Sequence, residues 1–141
     1  MELGLRGKRA LITGASKGIG YAVAEVFAEE GCHVDMASRD PAVLEEAAQK
    51  IRSAHQVNVR TFAADLSKPE DRARLVEACG DNDILVNNAG SNPAGALEDI
   101  DDATWRASWD LKVFGYINMT RAFYARMKAR PATVNVLVEL A

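Results

Sequence analysis

The 141-residue sequence is poor in the residues that build metal sites and disulfide scaffolds, with two cysteines and two histidines. Cys32 and Cys79 form no C-x-x-C pair, and two cysteines are too few for a disulfide framework. We interpret both as small buried hydrophobic residues in a reducing cytoplasm. His33 and His55 have no neighbours at ligand spacing, so the sequence predicts no metal site.

The sequence also lacks the features of membrane and nucleic-acid-binding proteins. The segment MELGLRGKRA has no apolar core for a signal peptide, and no apolar run approaches a bilayer span. A net charge of -3 gives no reason to expect nucleic acid or an anionic membrane as a partner. The chain is 48% hydrophobic and 26% charged, which is typical of a globular protein. We therefore expect one cytoplasmic domain over residues 1–141.

Strand-like and helix-like segments alternate along the chain. Four short apolar or β-branched runs predict strands: RALIT (9–13), HVDMAS (33–38), VRTFAA (59–64) and DILVNN (83–88). Apolar stripes at helical spacing lie between them: Ile19, Val23, Val26 and Phe27; Leu44, Ala47, Ala48 and Ile51; Leu75, Val76 and Cys79. Such alternation implies parallel strands joined by right-handed crossovers. The predicted fold is a doubly wound α/β sheet.

Capping residues mark the expected helix boundaries. Asp40 is the expected cap of the second helix. Ser67 is the expected cap of the third helix, with Pro69 in its first turn. A fourth and longer helix is predicted from about Asp102 to Arg130.

The segment TGASKGIG (13–20) lies where the first predicted strand ends and the first helix begins. Gly14, Gly18 and Gly20 have the spacing G-x-x-x-G-x-G. Glycine allows a tight turn, the approach of a phosphate to the backbone and close packing of helix on sheet. The helix N-terminus offers free N–H groups and a positive dipole end to that phosphate. The loop predicts a nucleotide site, whereas a Walker P-loop is disfavoured because no Gly-Lys-Ser/Thr follows; an ordinary glycine-rich turn is the alternative.

TGASKGIG, NNAG (87–90) and AADLS (63–67) together resemble the short-chain dehydrogenase/reductase family over residues 5–130. The resemblance implies a Rossmann fold, a nicotinamide cofactor and hydride transfer to or from a small-molecule carbonyl or alcohol. It implies a pyrophosphate and ribose site at Gly14, Ser16, Lys17, Gly18, Ile19 and Gly20. It places Asp65 and Leu66 beside the adenine, and Asn88, Ala89 and Gly90 beside the ribose near the nicotinamide.

The end of the second strand predicts the choice of cofactor. An acidic residue there would bind the adenosine ribose hydroxyls and repel a 2′-phosphate. The sequence has Ser38 at this position and Arg39 immediately after it, while Asp35 lies too far back in the strand. Lys17 could reach the same phosphate from the glycine loop. We therefore expect NADP(H) rather than NAD(H); the alternative is that both cations are ordinary solvated surface charges.

The segment YARMK places Tyr124 four residues before Lys128, the spacing of the family's catalytic Tyr-x-x-x-Lys. We interpret it as a helix end and not as a catalytic pair. In a parallel sheet the ligand lies beyond the carboxyl ends of the strands, and a crossover helix runs away from that edge. Lys112 stands at the position of the family's Asn. Along the helix axis it is about 18 Å nearer to the site than Tyr124 is. A protonated lysine cannot accept a hydrogen bond, so the substitution weakens the usual proton relay.

Residue 141 precedes the serine, the Tyr-x-x-x-Lys and the last strands of the family pattern. We expect a parent enzyme whose first 141 residues are inactive alone, and the alternative is a dinucleotide-binding module without catalysis. The tail segment TVNVLV resembles the family's fifth strand. Val134, Leu137, Val138 and Ala141 also match helical spacing, as in the family's late helix, and we favour the strand.

The family commonly forms homodimers or homotetramers, and the resemblance implies the same assembly here. An apolar stripe that would be left open in the isolated chain predicts self-association or poor stability. Its members are Trp105, Trp109, Tyr116 and Phe123.

Overall fold

The computed structural model describes residues 3–130 and 136–139. This part of the chain forms a five-stranded sheet with strand order β3-β2-β1-β4-β5. The strands are β1 (Arg9–Thr13), β2 (His33–Ser38), β3 (Val59–Ala63), β4 (Ile84–Asn87) and β5 (Val136–Glu139). The helices are α1 (Gly18–Glu29), α2 (Pro41–Ala54), α3 (Pro69–Cys79), α4 (Asp102–Trp109) and α5 (Gly115–Lys128). All strand pairs are parallel, and the predicted doubly wound α/β fold is confirmed.

The tail of the chain contributes a strand, as predicted. In β5, Val136 lies opposite Ile84 and Glu139 lies opposite Asn87. The rest of the segment TVNVLV, residues 133–135, lies outside the described residues. The order of the strands puts a topological switch point between β1 and β4, where a crevice forms at the carboxyl ends.

Successive side chains on each central strand point to opposite faces of the sheet and so contribute to two separate cores. On β1, Ala10 and Ile12 pack with α1 and α2, whereas Leu11 packs with α3 and α5. All three side chains are fully buried. Burial on both faces explains why the central strands are nearly continuous apolar runs.

Helix α1 contacts the sheet through small residues, which corrects part of the predicted apolar stripe. Its buried residues are Gly20, Ala24 and Ala28. Val23 and Phe27 pack against the core, but Ile19 is 68% exposed and Val26 is 56% exposed. The helix approaches the sheet too closely for larger side chains, so its buried face is not its most hydrophobic one.

The two predicted caps have different outcomes. Asp40 caps α2 through Oδ1, which accepts hydrogen bonds from two backbone N–H groups of the first turn. The prediction that Ser67 caps α3 is wrong. Lys68 occupies the cap position without a side-chain bond, because the Ser67 hydroxyl donates instead to Asp65 Oδ1 at 2.7 Å.

The predicted fourth helix is one continuous helical segment with a change of winding. Helix α4 passes through a π-helical segment, Asp110–Phe114, into α5. The Gly115 N–H bonds to the carbonyl of Asp110, five residues earlier. The extra residue per turn shifts the phase of the helix face between α4 and α5. Among the described residues, no helix has both the length and the apolarity needed to cross a bilayer.

The exposed apolar residues of this helix differ from the predicted stripe. Phe123 is fully buried in the core between the sheet and α5, so its predicted exposure is wrong. Trp105, Trp109 and Phe114 are 38%, 56% and 51% exposed, and Tyr116 is half-buried. The first three line a surface depression of about 740 Å³, which we call the tryptophan face.

A buried carboxylate at the amino-terminal half of the sheet connects three strands. Asp35 on β2 is fully buried and accepts two hydrogen bonds from Arg60, at 2.7 and 2.6 Å. Arg9 and Asn82 donate to the same carboxylate at 3.0 and 2.9 Å. Burial alone would raise the pKa of Asp35, but the hydrogen bonds from Arg60 and Asn82 and the charges of Arg60 and Arg9 together hold it below its ordinary value.

The depressed pKa makes Asp35 a source of acid sensitivity. Its contribution to stability is present above the ordinary carboxyl pKa and is lost as the pH falls through the folded-state pKa. At pH 7 we expect Asp35→Asn to reduce the free energy of unfolding by about 3 kcal/mol, since it leaves two arginines without their anion. Urea titrations from pH 7 to pH 2 should show this difference shrinking at acid pH.

Glu46→Gln is the matched control for this substitution, because it removes a carboxylate from an exposed pair with Lys50. Exposed pairs contribute little, so its effect at pH 7 should be far smaller than that of Asp35→Asn. An equal effect of the two substitutions would contradict the role of Asp35.

Candidate functional site

A trough of about 260 Å³ opens at the carboxyl ends of β1 to β4. All the predicted cofactor residues except Gly18 and Asp65 line it. The full lining is Gly14, Ser16, Lys17, Ile19, Gly20, Ala37, Ser38, Arg39, Ala64, Leu66, Asn88, Ala89, Gly90 and Leu111. The trough lies at the switch point between β1 and β4, the position at which α/β sheets bind ligands.

Two glycines let the first loop, α1 and the end of β4 come together. Gly14 has φ +66°, and a Cβ there would lie 2.9 Å from the Cα of Ala89. A Cβ on Gly20 would lie 2.2 Å from the carbonyl oxygen of Gly14 and 2.4 Å from Nδ2 of Asn88. No side chain fits at either position. The floor of the trough is therefore backbone, with the N-terminus of α1 facing it.

The hydroxyl of Thr13 joins β1 to the loop after β4. Thr13 is fully buried, and its Oγ1 donates to the carbonyl of Val86 at 3.2 Å. The same oxygen accepts hydrogen bonds from the N–H groups of Asn88 and Ala89, at 2.9 and 3.0 Å. One hydroxyl thus satisfies three backbone groups at the centre of the site.

The side chain of Asn88 is committed to the glycine loop. Its Nδ2 donates to the carbonyls of Thr13 and Gly14, at 3.0 and 3.2 Å. The amide N–H groups therefore hold the loop in place. The preceding Asn87 is buried and donates from Nδ2 to Thr120 Oγ1 at 2.9 Å, which ties β4 to α5.

One end of the trough carries two cations. Arg39 and Lys17 are both exposed there, and neither forms an ion pair within residues 3–130. Between them the hydroxyls of Ser38 and Ser16 are hydrogen bonded at 3.0 Å. Asp35 lies back in β2 within the buried cluster, as the sequence predicted. We call this region the cationic end.

Asp65 shapes the turn after β3 and does not line the trough. Its Oδ1 accepts hydrogen bonds from the N–H and the hydroxyl of Ser67, at 3.1 and 2.7 Å. Its own N–H donates to Asp71 at 2.7 Å. The next residue, Leu66, is buried and lines the trough.

The π-helical segment forms the other end of the trough. Leu111 lines it, and the Cδ of Lys112 lies 3.8 Å from the place a Cβ on Gly90 would take. Tyr124 is 61% exposed near the far end of α5, and Lys128 is the last residue of that helix. Neither lines the trough, which agrees with the interpretation of YARMK as a helix end.

Sequence reasoning missed four residues of the site. Thr13 is the first letter of TGASKGIG, so its position in the motif was the available signal. The other three, Ala37, Ala64 and Leu111, also line the trough. Their side chains are apolar, so nothing in the sequence marks them as site residues.

Neither a metal centre nor a reactive thiol is found in the described part of the chain. Residues 3–130 and 136–139 contain no cluster of three or more His, Cys, Asp or Glu residues that could hold a metal ion. Cys32 and Cys79 are buried and free, as predicted. Burial raises the pKa of Cys32 to about 11 and that of Cys79 to about 12, so both thiols stay protonated near neutral pH.

The sequence model of the short chain dehydrogenase family matches residues 8–138. The chain belongs to this family.

Individual relatives resemble the chain over most of its length. The 11-beta-hydroxysteroid dehydrogenase A of Sesamum indicum is 38% identical over 120 residues, 82% of this chain. The L-sorbose reductase of Gluconobacter frateurii, solved with NADPH and L-sorbose, superposes with a TM-score of 0.86 at 38% identity and covers 92% of this chain. A 3-oxoacyl (acyl-carrier-protein) reductase of Agrobacterium tumefaciens, solved with NADP, has a TM-score of 0.85 at 29% identity over 96%.

The chain spans only part of these family members. It covers 34% of the sesame enzyme, 51% of the sorbose reductase and 52% of the Agrobacterium reductase. The trough of this chain nevertheless fits the nicotinamide dinucleotide that the family implies. At Gly14 and Gly20 there is no room even for a Cβ, so the surface there is bare backbone. A pyrophosphate can approach the N–H groups of such a backbone closely.

Substitution of Thr13 tests whether its hydrogen bonds hold the trough of this chain together. Thr13→Val keeps the shape but leaves two N–H groups without an acceptor, at about 1–3 kcal/mol each. We expect a loss of about 3 kcal/mol in the free energy of unfolding, measured by urea denaturation. Thr13→Ser keeps the hydroxyl and should lose less than half as much. Equal losses in the two variants would show that the methyl group, and not the hydrogen bonds, matters.

Proposed function

We propose that the protein containing this chain is an NADP(H)-dependent oxidoreductase that transfers hydride between the cofactor and a small-molecule carbonyl or alcohol. Family membership and the trough at the switch point support this function. The cofactor supplies the hydride, and the residues of this chain bind and orient it.

In this proposal the trough binds the dinucleotide along its whole length. The backbone of the glycine loop and the N-terminus of α1 hold the pyrophosphate, with Ser16, Gly18 and Ile19 beside it. Leu66 packs against the adenine, and Asp65 fixes the turn that presents Leu66. Ala89 and Gly90 lie beside the ribose of the nicotinamide.

The observation that carries the choice of NADP(H) is the cationic end. Arg39 and Lys17 are free of ion pairs within residues 3–130, and no carboxylate lines the trough. A 2′-phosphate is a dianion, and a charge-assisted hydrogen bond to it contributes roughly 1.5–3 kcal/mol before desolvation. The structures with NADPH and NADP among the relatives support the same choice.

We propose cofactor binding without turnover for residues 1–141 alone. Tyr124 is remote from the trough, and within residues 3–130 no Tyr-x-x-x-Lys stands beside it. The alternative, a dinucleotide-binding module without catalysis in the whole protein, needs the same trough. Intact mass or sequence beyond residue 141 separates the two, since an enzyme requires a serine and a Tyr-x-x-x-Lys there.

Arg39→Ala tests the cofactor choice. We expect the wild-type chain to bind NADPH at least about tenfold more tightly than NADH, the ratio that corresponds to 1.4 kcal/mol. The substitution should remove most of this preference by weakening NADPH binding and leaving NADH binding unchanged. Titration of cofactor fluorescence measures both affinities.

Arg121→Ala is the control for this experiment, since Arg121 is exposed on α5 and does not line the trough. It should leave both affinities unchanged. Equal affinity for the two cofactors in the wild type, or a preference that survives Arg39→Ala, would contradict the proposed role of the cationic end.

We also propose a cytoplasmic homodimer or homotetramer that is assembled through the tryptophan face. Three large apolar side chains of α4 and the π-helical segment support this assembly, because they are exposed together. Sedimentation of the chain should show self-association that rises with concentration and is weakened by Trp109→Glu. A compact monomer at high concentration would contradict the assembly.

A further inference from the structure

Lys112 differs from the other lysines around the site, because it lies at the end of the trough opposite the cationic end. Its Cδ lies 3.8 Å from the place that a Cβ on Gly90 would take, and Gly90 lines the trough. Lys112 is half-buried, and its ammonium is two bonds beyond Cδ. The neighbouring Leu111 is itself part of the trough lining.

The positive charge of Lys112 is uncompensated within residues 3–130. Its ammonium forms no ion pair and no hydrogen bond with a residue of that range. It shares this property with Lys17 and Arg39 at the cationic end, whereas Lys50 is paired with Glu46 and Arg106 with Asp102. No carboxylate lines the trough. The field of Lys112 at this end of the trough is therefore not cancelled locally.

The π-helical winding fixes where this charge stands. The bond from the Gly115 N–H to the carbonyl of Asp110 widens the turn that contains Lys112. Gly115 is buried with its Cα side against the carbonyl of Leu66, and a Cβ there would lie 3.3 Å from that oxygen. The backbone of the segment is thus packed against the loop that contains Leu66, and this packing fixes where the Lys112 side chain begins.

We propose that Lys112 makes the site discriminate between the two redox forms of the cofactor, in favour of the reduced form. This inference rests on the proposed function, in which the nicotinamide lies beside Gly90. The oxidised nicotinamide ring carries one positive charge and the reduced ring carries none. An ammonium several ångströms away repels the oxidised ring by an amount that is significant near a protein surface, and leaves the reduced ring unaffected.

The consequence is a chain that retains NADPH and releases NADP⁺. A neutral side chain at position 112, such as the family's Asn, would lack this effect. Lys112 acts in this way as a specificity-determining residue for the cofactor's redox state, and it need not touch the substrate.

Calorimetric titration of the chain with NADPH, NADP⁺ and 2′,5′-ADP tests the inference. We expect Lys112→Met to change the ratio of the NADP⁺ and NADPH dissociation constants by roughly tenfold toward NADP⁺, mainly through tighter binding of NADP⁺. Lys112→Arg keeps the charge and should keep the wild-type ratio. Affinity for 2′,5′-ADP, which lacks the nicotinamide, should be equal in all three proteins.

Lys128→Met is the matched control, because it removes an exposed lysine from the end of the same helix. It should leave the ratio unchanged. The same ratio in wild type and Lys112→Met would overturn the inference and leave the proposed function intact. Failure of the wild type to bind any of the three ligands would overturn both.

Discussion

The site depends on the close approach of α1 and the glycine loop to the end of β4. At Gly14 and Gly20 the separations are so short that any Cβ would collide with backbone or with the amide of Asn88. This contact brings the N-terminus of α1 over the switch point between β1 and β4. The trough exists because a helix and two strands meet there without side chains between them.

Hydrogen bonds also fix the orientation of the glycine loop relative to the loop after β4. Thr13 satisfies two N–H groups after β4, and Asn88 returns two bonds to the carbonyls of the glycine loop. Since these bonds are reciprocal, neither loop can move without leaving buried polar groups of the other unpaired. The backbone of the trough is therefore held before any ligand arrives, which lowers the conformational entropy that binding must overcome.

The fold was predictable because it follows from patterns within single segments. The strands read as apolar runs, and Asp40 before Pro41 marked the start of α2 correctly. Features that depend on distance between segments were not predictable. The exposure of Ile19 follows from how tightly α1 packs on the sheet, and the burial of Phe123 follows from the packing of α5 against the sheet and α3.

The candidate site divides in the same way. Its glycines and the NNAG segment stand out in the sequence because they form a motif with a fixed role. The place of Asp65 beside the adenine stays a prediction. The structure adds that its Oδ1 is bonded to Ser67 in a local turn, a bond that no periodicity reveals. The role of Thr13 needs β1 and β4 to be neighbours, a contact between residues far apart in the chain.

The two edges of the sheet use charge in opposite ways. At the amino-terminal half, Asp35 gathers Arg9, Arg60 and Asn82 into one buried cluster, so its charges serve folding and none is available to a ligand. At the carboxyl edge, Lys17, Arg39 and Lys112 surround a trough whose lining contains no carboxylate. Unpaired cations repel one another and add nothing to the stability of the fold. The placement of Lys17 and Arg39 together at one end of the trough is therefore explained by an anionic ligand, and a dinucleotide with phosphate groups is such an anion. Lys112 lies at the other end, beside Gly90, where its charge acts on a different part of the ligand.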